Sequence, residues 1–115
     1  MNYIDMMKGL ADGTRLRIMG LLALMNMELC VCQIIEALGE SQYKISRHLR
    51  ILKNAGWVKE RRDGRWVSYS FMDLGHDPFG QKILASLKSL PAEFLDLKRS
   101  REAIRTFSKK NRCEV

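Results

Sequence analysis

The apolar positions along this chain follow a helical spacing in most segments and an alternating spacing in one. Apolar residues recur every three or four positions in four successive segments, which predicts helices over residues 1–10, 14–25, 28–39 and 41–55. Ser41 is a good N-cap for the fourth helix, and Gly56 follows its end. The period then changes to strands over 57–62 and 65–71, with Asp63-Gly64 between them as a hairpin signal.

The remaining third of the chain returns to a helical pattern. Asp77 is a possible N-cap and Pro78 a good first helical residue, so we predict a helix that continues to Leu90. Pro91 interrupts this pattern and can start a further helix that reaches Phe107.

A polar, basic helix followed at once by a basic hairpin is the layout of a winged helix-turn-helix. We therefore predict a mainly α fold with a β-hairpin wing, as a single domain over residues 1–115. Such a domain does not need the C-terminal helices, about 78–112, for its own core. Their apolar surface, together with the first helix, is expected to form a homodimer that presents two recognition helices to a palindromic site.

Composition narrows the choice of partner. A net charge of +7 and an isoelectric point near 9.6 favour a polyanion such as double-stranded DNA. No apolar run approaches the length that spans a membrane, so we expect no membrane partner. The N-terminus has no basic stretch followed by an apolar one, which favours a cytoplasmic protein.

The fourth helix and the hairpin carry the predicted DNA-binding residues. Ile45, Leu49 and Leu52 define a buried stripe, and polar or basic side chains lie on the other side. Such side chains can meet base edges or phosphates. The alternative to DNA binding is a solvated basic helix beside an ordinary hairpin. Arg15 and Arg17, in the first turn of the second helix, are also expected to be exposed. The predicted contacts are Ser41, Gln42, Lys44, Ser46, Arg47, His48 (packing or phosphate contact), Arg50, Arg62 and Arg65.

Cys30-Val31-Cys32 is the second informative feature. Two cysteines two residues apart do not share one face of a regular helix, but they can converge if the first lies at the helix start. Both thiolates could then chelate a soft, thiophilic ion. The alternative is a pair of ordinary buried cysteines. Three cysteines in a cytosolic chain argue against a disulfide scaffold.

The segments ADGTRLRIMGLL, ELCVCQIIEALGESQYKISRHLRILKNAGWV and RRDGRWVSYSF resemble the ArsR (ArsR/SmtB) family of metalloregulatory repressors, over roughly residues 8–72. The resemblance implies a homodimeric repressor that leaves its operator when an inducer binds. ELCVC is most similar to the branch that responds to As(III) or Sb(III), which places metalloid ligands on Cys30 and Cys32 and implies no catalytic cofactor. Ile35 stands where that branch often has a third cysteine, so Cys113 is either the third ligand or an incidental thiol.

The same sequence features are compatible with other functions. The same fold could sense oxidants or reactive sulfur through a disulfide or persulfide, or respond to Cd(II) or Pb(II). An enzyme with a nucleophilic cysteine is disfavoured because the two histidines, His48 and His76, lie in the recognition helix and a turn. A protein-binding adaptor would bind promoter DNA no better than random DNA.

Overall fold

The computed structural model describes residues 2–75 and 77–106. These residues form seven helices and three strands. In chain order the elements are α1 Tyr3–Leu10, α2 Gly13–Met25, β1 Leu29–Cys30, α3 Val31–Leu38, α4 Gln42–Asn54, β2 Val58–Asp63, β3 Trp66–Phe71, α5 Pro78–Leu87, α6 Ala92–Leu95 and α7 Arg101–Arg105. The prediction of a mainly α fold with a β wing is confirmed.

Capping residues set the helix bounds where the sequence predicts them. The Ser41 hydroxyl accepts a hydrogen bond from the backbone N–H of Lys44 (3.2 Å), so α4 begins directly after it. Asp77 caps α5 in the same way, through the N–H of Gly80 (2.9 Å). Gly39 ends α3 with a φ of +67°, a left-handed conformation that glycine adopts at low cost. The chain therefore turns directly from α3 into α4.

The buried stripe of α4 packs into the centre of the core. Ile45, Leu49 and Leu52 are all fully buried, and α4 packs against α1, α2, α3 and β2. Burying apolar side chains of this size stabilises a fold by about 1.5–3 kcal/mol each. The stripe therefore fixes the rotation of α4 about its own axis and decides which of its side chains face outward.

The sheet contains one strand that the sequence pattern did not reveal. Its order is β1-β3-β2 and all pairs are antiparallel. β1 is two residues long, with Leu29 paired to Tyr69 and Cys30 to Ser68. A strand this short has no measurable period, and its partner lies about forty positions further along the chain. The pairing ties the start of α3 to the wing.

The hairpin turn lies one residue later than predicted. Asp63 pairs with Trp66, so the two turn residues are Gly64 and Arg65 rather than Asp63 and Gly64. Gly64 has a φ of +62°, whereas Arg65 does not adopt a positive φ. Glycine at the first turn position with an ordinary residue after it is the type II′ preference, which suits the twist of a hairpin.

The single helix predicted after Pro91 is wrong, because α6 and α7 are separate. Asp96 adopts a φ of +49° and ends α6, and Ser100 caps α7. The Arg17 guanidinium donates to the carbonyl oxygens of Leu95 (2.9 Å) and Asp96 (3.0 Å), and also to that of Leu38 (3.2 Å). Arg17 is thus a partly buried clamp across three segments, and the expectation that it is exposed is wrong.

Trp57 joins the first helix to the end of the recognition helix. Its indole Nε1 donates to the carbonyl oxygen of Met6 (2.6 Å), and the side chain is fully buried. Nearby, a Cβ on Gly9 would lie 2.6 Å from the Cβ of Ala55, so α1 approaches α4 more closely than a side chain at Gly9 would allow. These contacts fix α1 against the core.

We expect Trp57→Phe to lower the free energy of unfolding by about 1–3 kcal/mol, because the buried Met6 carbonyl loses its donor. Urea denaturation followed by circular dichroism measures the change. Trp66→Phe is the matched control, since Trp66 is partly exposed. Equal losses in the two variants would contradict the role assigned to the Trp57 hydrogen bond.

Candidate functional site

The outward face of α4 gathers most of the predicted DNA-binding side chains. Ser41, Gln42, Arg47 and Arg50 are exposed, and Tyr43 beside them is 79% exposed. A surface concavity of about 400 Å³ is lined by Gln42, Tyr43, Ser46, Arg47 and Arg50. Lys44 Nζ lies 3.1 Å from the carboxylate of Glu40, and the Lys44 side chain is 43% exposed.

A second concavity of about 370 Å³ lies between α4 and the wing. Arg50, Lys53 and Arg62 line it together with Glu60. Glu60 accepts a hydrogen bond from the Tyr69 hydroxyl (2.6 Å), and its other oxygen lies 3.8 Å from Lys53 Nζ. Burial, followed by this contact with Glu60, raises the pKa of Tyr69 well above its ordinary value. The cleft keeps an excess of positive charge.

Ser46 lies between the two concavities and lines both. Its Oγ is buried and has no hydrogen-bond partner among residues 2–75 and 77–106. A buried hydroxyl without a partner costs free energy, so a partner supplied from outside the chain would be favourable. Ser46 is therefore a polar position at the boundary of the two concavities.

The cations of the wing tip differ in position. Arg61 Nη2 lies 2.7 Å from Glu28 Oε1, and Arg61 Nε donates to the same carboxylate. This hydrogen-bonded contact raises the pKa of Arg61 and holds it against the body. Arg62 is exposed on β2 and Arg65 in the turn, and Arg62 also lines the cleft beside α4. Their exposure leaves both guanidinium groups within reach of a bound polyanion.

His48 lies inside the protein, unlike the other predicted contacts. It is 4% exposed, because it follows Ile45 by three positions and so belongs to the buried stripe. Arg15 Nη1 lies 3.0 Å from His48 Nδ1, and Asp12 Oδ2 lies 3.7 Å away. The structure therefore supports the packing role for His48 rather than direct phosphate contact. Arg15 is likewise part of the core edge rather than an exposed cation.

The Arg15 contact also defines the state of the His48 ring. A guanidinium group can only donate, so Nδ1 accepts and the neutral ring carries its proton on Nε2. Burial, with the neighbouring Arg15 charge, lowers the pKa of His48 below its ordinary value, although Asp12 opposes the shift. His48 is accordingly neutral in the folded protein at neutral pH.

The two vicinal cysteines occupy different positions at the start of α3. Cys30 is the N-cap, with extended backbone angles (φ −77°, ψ 158°), and Cys32 lies in the first helical turn. Both are buried. The condition for convergence of the two side chains, a first cysteine outside the regular helix, is met. Cys30 carries a free thiol, whereas Cys32 is disulfide-bonded. The sequence analysis argued against disulfides and did not predict this bond.

Gln33 is a residue of this site that the sequence analysis missed. Cys30 and Gln33 form a capping box: the backbone N–H of Gln33 donates to the Cys30 side chain, and Gln33 Oε1 accepts from the Cys30 N–H (2.8 Å). A glutamine three residues after the N-cap is the spacing of a capping box and could have indicated this contact from the sequence. Cysteine, however, is not a usual capping residue.

Further ligands for the cysteines are not found in the described part of the chain. Residues 2–75 and 77–106 contain no group of three or more His, Cys, Asp or Glu side chains that could hold a metal ion. Cys113 and His76 lie outside the described residues.

Among residues 2–75 and 77–106, no helix is long and apolar enough to cross a membrane.

The pKa of His48 leads to a stability prediction. Its folded-state pKa is lower than its unfolded-state pKa, so the unfolded chain binds more protons as the pH falls. The contribution of His48 to the free energy of unfolding is complete when the pH is above the ordinary histidine pKa of about 6.5. It is lost as the pH drops through the lowered folded-state pKa. We expect His48→Gln to be less stable than wild type at pH 8 and to lose less stability between pH 7 and pH 5. Urea midpoints across this range test it; parallel pH profiles would contradict it.

Comparison with known proteins supports these structural features. Residues 12–60 match the family model described as bacterial regulatory protein, arsR family. The chain is 50% identical over 66 residues to the arsenical resistance operon repressor of Escherichia coli. The aligned residues cover 57% of this chain and 56% of the repressor. It is 48% identical over 69 residues to an uncharacterized HTH-type transcriptional regulator of Methanocaldococcus jannaschii, covering 60% of this chain and 76% of that protein.

A solved structure agrees with the fold. HlyU from Vibrio cholerae superposes with a TM-score of 0.62 at 26% identity, over 76% of this chain and 88% of HlyU. The described wing and helices, the family match and these relatives lead to one assignment. The chain belongs to the ArsR family of bacterial regulatory proteins and adopts a winged-helix fold.

Proposed function

We propose that the protein represses a metalloid-resistance operon and leaves its operator when As(III) or Sb(III) binds Cys30 and Cys32. One observation carries the proposal: Cys30 caps the start of α3 and Cys32 lies in its first turn, and α3 packs against the recognition helix α4. A ligand bound at this turn acts on a direct structural support of the DNA-reading surface. The E. coli relative, which is named an arsenical resistance operon repressor, supports the choice of inducer, although this chain spans just over half of its length.

The operator-binding surface combines α4 and the wing. We propose that Gln42, Ser46 and Arg47 lie along base edges, since a helix of this size fits the major groove. Arg50, Arg62 and Arg65 would contact phosphates on either side of it. The position of Ser46 between the two concavities supports this arrangement, because both would face the DNA. Ser41 and Lys44 would then serve mainly to set the start of the helix.

The chemistry of the thiol site favours a soft ion. Thiolate sulfur binds soft, thiophilic ions in preference to hard ones, and the positive end of the α3 dipole favours anionic ligand groups. Cys30 and Cys32 would hold As(III), and Cys113, outside the described residues, is a candidate third ligand. Thermodynamic linkage then requires the inducer to bind the free protein more tightly than the DNA-bound protein.

Operator binding with and without arsenite tests the proposal. We expect stoichiometric arsenite to weaken operator binding by about 5–150-fold in the reduced protein, which is the usual range of allosteric coupling. Cys30→Ser and Cys32→Ser are expected to bind the operator like wild type and to remain bound when arsenite is added. Fluorescence anisotropy of a labelled operator fragment under reducing conditions measures both effects.

Three controls complete the experiment. Random DNA of equal length gives the specificity ratio, which a repressor should have and an adaptor should lack. Parallel titrations with cadmium and zinc distinguish a metalloid site from a thiolate site for divalent ions. Cys113→Ser decides whether the third cysteine takes part. Loss of operator binding in Cys30→Ser without arsenite, or release that persists when both cysteines are replaced, would contradict the proposal.

A second candidate is a thiol redox or reactive-sulfur sensor with the same DNA-binding surface. It is favoured by the disulfide at Cys32 beside the free thiol of Cys30. A sensor of this kind would release DNA after mild oxidation and rebind it after reduction. Mass spectrometry of the oxidised protein, coupled to the anisotropy assay, separates the two: oxidation at Cys32 that leaves operator affinity unchanged would remove this candidate.

We also propose that the protein acts as a homodimer through its terminal helices. Tyr3, Ile4 and Met7 of α1 and Phe79 of α5 are all more than 40% exposed. The Tyr3 and Phe79 rings make an edge contact with centroids 5.2 Å apart, and the Tyr3 hydroxyl donates to Asp77 (2.8 Å). They form one apolar patch that joins α1 to α5, which favours an isologous two-fold interface. The predicted dimerisation region, about 78–112, extends beyond the described residues.

Ile4 is the residue on which to test the dimer, because its side chain is 67% exposed and contributes little to the core. We expect Ile4→Glu to shift the dimer dissociation constant upward by at least tenfold, while the unfolding midpoint changes little. Analytical ultracentrifugation measures the first and urea denaturation the second. Met27→Glu introduces the same charge at an exposed apolar residue outside the patch. A dimer of unchanged strength in Ile4→Glu would refute this interface.

A further inference from the structure

The Gln33 side chain connects two parts of the protein that are far apart in sequence. Its Oε1 accepts from the backbone N–H of Cys30 (2.8 Å), and its Nε2 donates to the carbonyl oxygen of Ile104 (2.9 Å). Both hydrogen bonds are buried, and Gln33 itself is 7% exposed. One amide group therefore joins the first turn of α3 to α7, across 71 positions of the chain.

Residues 98–106, which we call the docked segment, lie along α3. The N–H of Lys98 donates to the carbonyl oxygen of Ala37 (2.7 Å) at the end of α3. Arg99 forms an ion pair with Glu36 (3.0 Å), and both side chains are largely exposed. Ile104 is buried in the core. The docked segment is thus attached at both ends of α3, and Gln33 provides the attachment at the cysteine end.

We propose that Gln33 is a positioning residue that couples the Cys30 side chain to the docked segment, so that a ligand on Cys30 loosens residues 98–106 from α3. The nature of that ligand rests on the function proposed above, whereas the coupling itself can be measured without it. Gln33 would then give the thiol site a second output besides its effect on α4.

The capping box explains how the Cys30 sulfur can act on Gln33. The sulfur accepts the backbone N–H of Gln33 while the Gln33 amide accepts the N–H of Cys30, so the two residues hold each other's conformation. A sulfur that turns toward a bound ion leaves this arrangement. The Gln33 amide cannot then keep good geometry to both Cys30 and Ile104, and a buried carbonyl that loses its donor is destabilised.

The energetic balance of the docked segment makes this bond important. The Arg99–Glu36 pair is exposed, and such pairs contribute little to stability. Arg101 reaches the carbonyl oxygen of Leu24 in an exposed hydrogen bond of 3.3 Å. The bond from Gln33 is the buried polar attachment near Ile104. A change at Gln33 should therefore alter the docking of α7 more than a change at the exposed pair.

Two substitutions separate the two hydrogen bonds. Gln33→Glu keeps an acceptor for the Cys30 N–H, since glutamate is a preferred residue at this position of a capping box. Its carboxylate has no N–H to donate to the Ile104 carbonyl. Gln33→Met has a similar length and removes both bonds. Glu36→Gln is the control: it removes the charge that faces Arg99 and leaves the Gln33 contacts intact.

Amide hydrogen exchange of the full chain, followed by NMR under reducing conditions, provides the readout. The N–H groups of Ile104 and Thr106 are hydrogen-bonded within α7, and that of Cys30 reports on the capping box. We expect Gln33→Glu to speed exchange at Ile104 and Thr106 by about three- to tenfold, the effect of one hydrogen bond, with Cys30 unchanged. Gln33→Met should speed exchange at all three, and Glu36→Gln should change α7 exchange less than twofold.

A mutant cycle tests the coupling without any ligand. Cys30→Ala should speed exchange at Ile104 and Thr106 in the wild-type background, because the sulfur half of the capping box is lost. The same substitution should have no further effect on these amides when Gln33 is already glutamate. An equal effect of Cys30→Ala in both backgrounds, or no effect in either, overturns the proposal.

Arsenite addition then relates this coupling to induction. In the wild-type protein arsenite should speed exchange at Ile104 and Thr106, and in Gln33→Glu it should add nothing to the faster exchange already present. Arsenite that binds, as read from thiolate absorbance, but leaves α7 exchange unchanged overturns the proposal. Failure of arsenite to bind rejects the inducer proposed above, while the mutant cycle still decides whether Gln33 couples Cys30 to the docked segment.

Discussion

The burial of one narrow stripe on α4 is the constraint on which the DNA-reading surface depends. Ile45, Leu49 and Leu52 are fully buried, and His48 lies on the same side against Arg15. A helix fixed along such a stripe has no freedom to rotate, so its remaining side chains keep a constant outward direction. The buried histidine adds a polar contact to this apolar stripe. Its ring is neutral because burial and the neighbouring Arg15 charge both disfavour a second positive charge there.

The start of α3 is the second centre of the structure, because three separate elements meet there. Leu29 and Cys30 pair with β3 of the wing, α3 packs against α4, and Gln33 bonds to Ile104 of α7. A disturbance at Cys30 therefore reaches the wing, the recognition helix and the C-terminal segment through direct contacts. The sensing role proposed for the cysteines needs no long chain of intermediates, because the supports of the DNA-binding surface begin at the same residues.

The parts of the fold that were predicted correctly are those that depend on residues close together in the sequence. The caps at Ser41 and Asp77, the stop at Gly39 and the hairpin all follow from the intrinsic preferences of those residues. Apart from the hairpin turn, which lies one residue later than predicted, the errors lie where distant residues determine the structure. β1 exists because β3 offers it a partner, and the helix after Pro91 is broken where the Arg17 side chain donates to the carbonyl oxygens of Leu95 and Asp96. No window of sequence around either place contains that information.

The same distinction applies to the site. The outward residues of α4 could be predicted from helical period, and that period also places His48 with the buried stripe, although its basic side chain favoured a surface role. Gln33 could not be assigned its contact with Ile104, because that contact depends on where the broken C-terminal helix returns to α3. Sequence thus predicts the surface that would meet DNA better than the contacts that would connect it to the cysteines.

The short C-terminal helices suit a regulated element on energetic grounds. α6 and α7 have four and five residues, far fewer than the roughly 12–15 that an isolated helix needs to be even marginally stable. Their order therefore depends on docking. The coupling needed for induction is about 1–3 kcal/mol, which is comparable to one or two net hydrogen bonds of about 0.5–1.5 kcal/mol each. An element attached by so few buried polar contacts can be released by a ligand that disturbs one of them, whereas the fully buried stripe of α4 cannot. A switch in this fold would accordingly act through the periphery of α3 and leave the seat of the recognition helix intact.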